Sequence, residues 1–118
     1  VQAGADALTG TAQMVVGAIG VAEENDVLWF GTQASQTSLA PGIVVANQVY
    51  DWSVVLDEIV ELIGQGTYGG QAFVITLENE GLLMDYNSDF EMPADVKSAA
   101  EDAVKGIVDG SVTIDVGE

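Results

Sequence analysis

The chain has 118 residues, enough for one modest α/β domain, and carries 19 Asp and Glu against two Lys, for a formal net charge of −17. With Lys97 and Lys105 the only cationic side chains and no Arg or His, the composition excludes nucleic acid as a partner, because phosphate contacts come largely from Lys and Arg. A disordered acidic tail is disfavoured because 48% of the residues are apolar and the charges are dispersed. The charge favours a salt-loving source, since salt screens repulsion among surface carboxylates.

The first part of the chain predicts a βαβ unit over residues 5–31. The stretch "GADALTG" at 4–10 is typical of a short strand closed by a turn, and "DVLWFG" at 26–31 of a strand buried on both faces of a parallel sheet. Trp29, in the middle of that strand, is expected in the core. Between the strands, apolar residues recur at helical spacing: Met14, Val15, Ala18, Ile19 and Ala22.

An uncharged loop at 32–42 precedes a predicted strand at 43–47, a loop and a helix from Trp52 to about Ile63. Asp51 is placed to cap this helix. The predicted buried stripe of the helix consists of Val55, Leu56, Ile59, Leu62 and Ile63.

The remaining sequence predicts two strands, "QAFVITL" at 71–77 and "GLLMDY" at 81–86, around the turn "ENEG". A final helix has Pro93 in its first turn and ends at Gly110, before the extended tail "VTIDV". Its predicted apolar face consists of Val96, Ala99, Ala100, Ala103, Val104, Ile107 and Val108. Together these patterns indicate a single α/β domain with a parallel-sheet layer and flanking helices.

Three polar loops follow the predicted parallel strands, at residues 9–13, 32–38 and 47–52. Ligands of open α/β sheets bind where such loops converge, so we predict a binding site there. For any single Ser, Thr, Asn or Gln the commoner role is to satisfy loop backbone, and a tryptophan such as Trp52 at a helix start is more often a core residue. Three such loops on one edge favour the site. The candidates are Thr9, Gly10, Thr11, Gln13, Gln33, Ser35, Gln36, Asn47, Tyr50, Asp51 and Trp52.

This composition offers few of the side chains that enzymes use for catalysis. Without His, Cys or Arg, catalysis would fall to carboxylates, hydroxyls or the two lysines, and both lysines lie on the final helix, away from the loops. Asp85, Asp89 and Glu91 could bind a hard cation, but their spacing does not follow the calcium-loop pattern. We therefore expect a protein that is not an enzyme and has no cofactor and no metal site.

Four stretches, in this order, resemble the carboxyl-terminal part of the basic membrane protein family. They are residues 4–41, "VVANQVYDW" at 44–52, "GQGTYGGQAFVITLENEGLLM" at 64–84 and "MPADVKSAAEDAVKGIVDGSV" at 92–112. Members are extracytoplasmic lipid-anchored solute receptors of ABC importers, and several bind purine nucleosides. The resemblance implies that residues 1–118 form most of one lobe, plus the returning segment, of a type I periplasmic-binding-protein-like fold.

The same resemblance implies a missing amino-terminal lobe, an ABC permease as partner, a nucleoside-like solute and a lipid anchor at the extracellular face of the cell membrane. It places pocket residues at Thr9, Gly10, Thr11 and Gln13. Many members have acidic residues that grip ribose hydroxyls where this sequence has Gln33 and Ser35. Some have a lysine where this sequence has Tyr50, next to Asp51 and Trp52.

Two alternatives stay open. One is a receiver-like or flavodoxin-like signalling domain, whose acidic pocket should lie at a strand end. No acidic cluster follows Thr9, Gly31 or Asn47 in the sequence, which argues against it. The other is a small enzyme that uses carboxylates.

Overall fold

The computed structural model describes residues 1–11 and 13–115, and the side chain of Gln13 lies outside this description. Strands form one sheet, in chain order: β1 (Ala7–Gly10), β2 (Leu28–Gln33), β3 (Val44–Tyr50) and β4 (Leu82–Tyr86). The α-helices are α1 (Val16–Glu24), α2 (Ser53–Gly64) and α3 (Ala94–Val108). Strands β1 to β3 are parallel and β4 is antiparallel to β3, which confirms the predicted α/β class and the mostly parallel sheet.

The predicted βαβ unit is present as β1, α1 and β2. Trp29 on β2 is 2% exposed, as expected for a core residue, and the α1 residues Ile19 and Ala22 are buried against it. The core cluster consists of Ile19, Ala22, Val27, Trp29, Ala40, Ile43 and Val44. The prediction for Met14 was wrong: it is 88% exposed, because Gln13–Val15 forms a 3-10 turn ahead of α1 and does not continue the helical periodicity.

Strands β2 and β3 extend further than predicted, to Gln33 and Tyr50. The parallel ladder continues through the pair Gln33 and Val49, so residues expected in loops are strand residues. Earlier in the ladder Trp29 pairs with Val44 and Phe30 with Ala46, which leaves Val45 as an extra residue in a β-bulge.

The prediction of a strand at 71–77 was wrong, because residues 71–76 are in neither helix nor strand and Leu77 begins the turn. The turn itself forms as predicted. The Asn79 Oδ1 accepts from the backbone N–H groups of Thr76 (2.7 Å) and Gly81 (3.0 Å), and its Nδ2 donates to the Val74 carbonyl (2.8 Å). The Leu82 N–H donates to the Thr76 carbonyl (2.9 Å), but the chain before Thr76 leaves the sheet.

Helices α2 and α3 bury less apolar surface than their sequences predict. On α2, Val55 is buried, but Leu56 and Ile63 are 51% and 49% exposed, contrary to the predicted stripe. On α3, Val96 is 52% exposed and the buried residue is Gly106. The predicted end of α3 is confirmed, since Gly110 adopts a φ of +78° just beyond it.

The chain is more extended than a compact domain of its length. Its radius of gyration is 17.4 Å, against roughly 13 to 14 Å for a compact domain. Its accessible surface is 8174 Å², while a compact monomer of its mass exposes roughly 6,000 Å². Part of the apolar surface is therefore without a covering layer. Within the described residues, no helix has both the length and the apolar content needed to cross a membrane.

Tyr86 on β4 lies where α3 approaches the sheet. The Lys97 Nζ is 5.7 Å from the centre of the Tyr86 ring, and the Lys97–Glu101 pair, at 3.9 Å, is too exposed to add much stability. The Tyr86 hydroxyl is buried without a hydrogen-bond partner among the described residues. Its burial, and secondarily the Glu101 carboxylate, raises the pKa of Tyr86.

We predict that Tyr86→Phe stabilises the fold by about 1 kcal/mol at pH 7, because it removes an unpaired buried hydroxyl. The raised pKa means that the unfolded chain deprotonates first, from about pH 10, so stability of the wild type falls as pH rises from there toward the higher folded pKa. Tyr86→Phe should lessen this alkaline decline. Urea unfolding at neutral and alkaline pH measures both effects, with Tyr68→Phe, at a residue 83% exposed, as control. An unchanged decline in Tyr86→Phe would contradict the assignment.

Candidate functional site

The carboxyl ends of β1, β2 and β3 meet at one edge of the sheet. Gly10 pairs with Gly31, Gly31 with Asn47, and Gln33 with Val49. The parallel register therefore brings the segments that follow the three strands to the same edge, where ligands of parallel α/β sheets bind.

An open cleft of about 470 Å³ lies at this edge, between the start of α1 and the end of β2. Its lining is free of charged side chains and consists of Val15, Val16, Thr32, Gln33, Ala34, Gln36 and Leu39. We call it the strand-end cleft. It combines two amides and one hydroxyl with apolar walls, a composition suited to an uncharged ligand.

Gly10 on β1 and Gly31 on β2 have neighbours that leave no room for a Cβ. A Cβ at Gly31 would collide with the Asn47 Oδ1 and press on the Gln36 side chain at 3.1 Å. A Cβ at Gly10 would lie 2.9 Å from Val15 and 3.1 Å from the Trp29 ring. Both glycines therefore make room for the side chains that pack behind the cleft.

Gln36 is buried and uses both ends of its amide. Its Oε1 accepts from the Trp29 Nε1 (2.7 Å), and its Nε2 donates to the Thr32 carbonyl (3.1 Å). Its backbone N–H donates to the Asn47 Oδ1 (3.0 Å). These bonds tie the loop after β2 to the core of β2 and to β3.

Asn47 is fully buried on β3. In addition to accepting from Gln36, it donates through Nδ2 to the Thr37 hydroxyl at 2.9 Å, with Ser35 Oγ and the Asp85 carboxylate each at 3.4 Å. Asn47 therefore forms hydrogen bonds to residues 35–37, in the loop that follows β2.

The structure thus divides the predicted residues of the second loop, together with Asn47 at the start of the third, into two kinds. Gln33 and Ser35 are exposed at the loop tip, with Gln33 in the cleft lining, whereas Gln36 and Asn47 are buried and bonded within the protein. Gln33 has a φ of +74°, a left-handed conformation that is uncommon for a residue with a Cβ. Such conformations are costly and cluster at ligand sites.

At the end of β3, Tyr50 and Trp52 form an edge-to-face pair with ring centroids 6.4 Å apart. Trp52 is 51% exposed and therefore does not occupy the core position that is usual for a tryptophan. The Asp51 Oδ1 accepts from the Ser53 hydroxyl (2.6 Å) and backbone N–H (2.9 Å), bonds that lower the pKa of Asp51. Asp51 thus holds the first residue of α2, but the predicted cap position is wrong by one residue, because Trp52 occupies the N-cap position.

The first predicted loop contributes mainly its backbone and its start. Thr9 and Thr11 are exposed, and the Gly10 carbonyl accepts from the Thr32 hydroxyl at 2.9 Å. Gln13 begins the 3-10 turn, and Ala12 lies outside the described residues. Thr9, Gly10 and Thr11 are not among the residues that line the cleft, whose wall on this side is formed by Val15 and Val16.

Sequence reasoning missed the apolar part of the cleft lining, which is Val15, Val16, Ala34 and Leu39. Val15 was counted among the apolar residues at helical spacing between the first two strands, and apolar residues in a polar loop give no signal of their own. Among the residues that the structure describes, no group of three His, Cys, Asp or Glu side chains is arranged to hold a metal ion.

The fold is similar to that of a solved structure described as an ABC transporter system solute-binding protein from Conexibacter woesei DSM 14684. The TM-score is 0.63 at 20% identity, over 97% of this chain and 38% of that one. The chain therefore spans less than two-fifths of the length of that protein, and the likeness is one of fold. No protein-family model and no curated protein matches the sequence.

We predict that Gly31→Ala destabilises the protein by about 2 kcal/mol, because its Cβ overlaps the buried Asn47 amide, which its hydrogen bonds hold in place. Gly17→Ala is the matched control: a Cβ there meets no atom within 4 Å, and alanine in α1 should be neutral or stabilising by up to about 1 kcal/mol. Urea unfolding of both variants gives the difference. Equal stability of the two variants would show that the contact between Gly31 and the Asn47 amide is not tightly packed.

Proposed function

We propose that the chain is the carboxyl-terminal part of an extracytoplasmic solute-binding protein of an ABC importer, of the basic membrane protein kind. The observation that carries the proposal is the uncharged strand-end cleft at the shared carboxyl edge of three parallel strands. The fold shared with an ABC transporter solute-binding protein supports the same role.

The chemistry of the cleft favours a neutral, flat solute that bears hydroxyls, such as a nucleoside. Thr32 and Gln33 offer donors and acceptors without charge, and a charged wall would lose hydration when a site closes around its ligand. The two lysines lie on α3, so an anionic solute would lack a cationic side chain in this lining.

Within this proposal the predicted site residues take different roles. Gln33 and Ser35 contact the solute from the loop tip, and the exposed ring of Trp52 beside Tyr50 stacks on a base. Gln36 and Asn47 position the tip from inside the protein. Thr9, Gly10, Thr11, Gln13 and Asp51 complete the rim.

The proposal includes a second lobe that precedes this one and closes over the cleft. The roughly 2,000 Å² of surface in excess of a compact monomer fits a chain that packs against further structure. Exposed apolar residues of α2 and α3, among them Leu56, Ile63 and Val96, are surface that such packing would cover. A permease partner, a lipid anchor and a place at the extracellular face of the membrane belong to the same proposal.

Solute binding is tested by titrating the full gene product with inosine, guanosine, ribose and leucine. Trp52→Phe keeps an aromatic face and leaves Trp29, whose N–H bonds to Gln36 beside the cleft, as the one tryptophan reporter within these 118 residues. We expect saturable emission changes with the nucleosides. Gln33→Ala should weaken binding by up to about tenfold, the loss of one hydrogen bond, while Gln65→Ala on the exposed end of α2 should not.

Tight binding of leucine or ribose without a response to nucleosides would reject the solute class. Unchanged affinity in both Gln33→Ala and Trp52→Ala would remove these loops from the site. The 118-residue chain alone should bind weakly, because it offers half of the burial surface. Sub-micromolar binding by this chain would contradict the second lobe.

Adaptation to salt is a separate prediction. The melting temperature of the chain should rise as the KCl concentration is raised from about 0.1 M to above 1 M, because salt screens the repulsion among its 19 acidic residues. Neutralising three α2 carboxylates, in Asp57→Asn, Glu58→Gln and Glu61→Gln combined, should reduce the slope. A melting temperature that is flat or falls with KCl would reject a salt-loving source.

A further inference from the structure

Gln33 differs from the other polar side chains that line the strand-end cleft, because its amide is not engaged inside the protein. The Thr32 hydroxyl donates to the Gly10 carbonyl at 2.9 Å, and both ends of the Gln36 amide bond to β2. The exposed Gln33 amide forms no hydrogen bond to any residue that the structure describes. Its carbonyl and its NH2 group are therefore both free to bind whatever fills the cleft.

The backbone conformation of Gln33 makes this residue costly. Its φ of +74° lies in the left-handed region, which favours glycine and penalises a residue with a Cβ. The other non-glycine residues with a positive φ in the described part of the chain, Asp26 and Glu80, lie in turns, whereas Gln33 is the last residue of β2. Glycine would fit this position better, so the stability of the fold does not explain a glutamine here.

The bonds beneath Gln33 keep its backbone in this conformation. The Gln36 Nε2 donates to the Thr32 carbonyl at 3.1 Å, directly before Gln33, and the Gln36 backbone N–H is held by Asn47 at 3.0 Å. Gln33 also pairs with Val49 in the parallel ladder. A free amide on a fixed backbone presents a preset geometry to a ligand, which lowers the entropy lost on binding.

The chemistry of a primary amide indicates which part of a solute it recognises. An amide holds an acceptor beside a donor, so it forms two hydrogen bonds with a group that holds a donor beside an acceptor, as glutamine does with the edge of a nucleobase. Two neighbouring sugar hydroxyls are matched better by a carboxylate, which accepts from both, and the described lining of the cleft holds no carboxylate.

We propose that Gln33 is the specificity-determining residue of the strand-end cleft and pairs with the edge of a base rather than with a sugar. The strained backbone is the cost of holding this amide in the wall of the cleft. The inference rests on the proposed function and names the part of the solute that this wall recognises.

The first test measures the cost of Gln33 and does not depend on the solute. In thermal unfolding of the full gene product at about 2 M KCl, where surface charges are screened, Gln33→Ala should melt within about 1 °C of the wild type, because no internal bond is lost. Gln33→Gly should melt about 2 °C or more above Gln33→Ala, since alanine keeps the strained Cβ. A Gln33→Ala that melts well below the wild type, or a Gln33→Gly that melts no higher than Gln33→Ala, overturns the proposal.

The second test locates the bond on the solute by titrating the full gene product with three nucleosides. Inosine has an N–H beside a carbonyl on its base edge, purine riboside lacks this pair, and 2′-deoxyinosine keeps the edge but lacks one sugar hydroxyl. The wild type should bind inosine about fivefold or more tightly than purine riboside, and Gln33→Ala should bind the two within about twofold. The preference for inosine over 2′-deoxyinosine should be equal in both proteins.

Glu80→Gly is the matched control, because Glu80 also has a left-handed backbone, with a φ of +60°, but lies in a turn and does not line the cleft. It should keep the wild-type preference for inosine over purine riboside. Loss of that preference in Glu80→Gly as well as in Gln33→Ala would show that the discrimination does not come from the Gln33 amide, and would overturn the proposal.

The remaining outcomes separate this inference from the proposed function. If Gln33→Ala changes the preference over 2′-deoxyinosine and leaves the preference over purine riboside intact, the bond is to the sugar and the proposal is wrong. Equal weakening of all three nucleosides would assign Gln33 to lobe closure, which also overturns it. If the wild type binds none of the three, the proposed nucleoside class itself fails and the pairing fails with it.

Discussion

The buried contact between the Gln36 backbone N–H and the Asn47 side chain is the constraint on which the cleft depends. A buried amide that lost its partner would cost about 1 to 3 kcal/mol, so the loop after β2 is held where these bonds are all made. The absence of a Cβ at Gly31 makes the contact possible. The position of this loop, the pairing of β2 with β3 and the packing of Trp29 are therefore fixed together.

In the proposed site, this constraint separates the residues that would contact a solute from the residues that support them. The exposed tip residues Gln33 and Ser35 are free to differ between relatives, because the loop beneath them is fixed by Gln36 and Asn47. Support from β3 and from the Trp29 indole makes the tip a rigid presentation surface, which lowers the entropy lost on binding. Such a division suits the proposed receptor, which must keep its geometry while the proposed second lobe closes.

The sequence predicted the βαβ unit and the parallel strands well, because Trp29, Ile19 and Ala22 are buried by neighbours close in the chain. It predicted poorly where burial depends on distant structure: Leu56 and Ile63 have apolar spacing without a described layer to cover them. At 71–77, where a strand was expected, the hydrogen bonds of Asn79 close the turn on Thr76 and Val74, and no ladder continues before the Thr76–Leu82 bond. In the site, residue type and position in a loop indicated the polar candidates. The burial of Asn47 depends on the register between β2 and β3, which sequence periodicity does not reveal.

The extra residue at Val45 determines which residues of β3 pair with which residues of β2. If β3 paired with β2 without the bulge, Gly31 would face Ala46, and the Asn47 side chain would point to the opposite side of the sheet. A relative that lacked only this extra residue would still place its asparagine opposite Gly31, whereas a relative with a regular ladder over the same number of residues would have to build the loop after β2 from other side chains. The register between β2 and β3, more than the identity of any loop residue, would then separate relatives that share this cleft from relatives that do not.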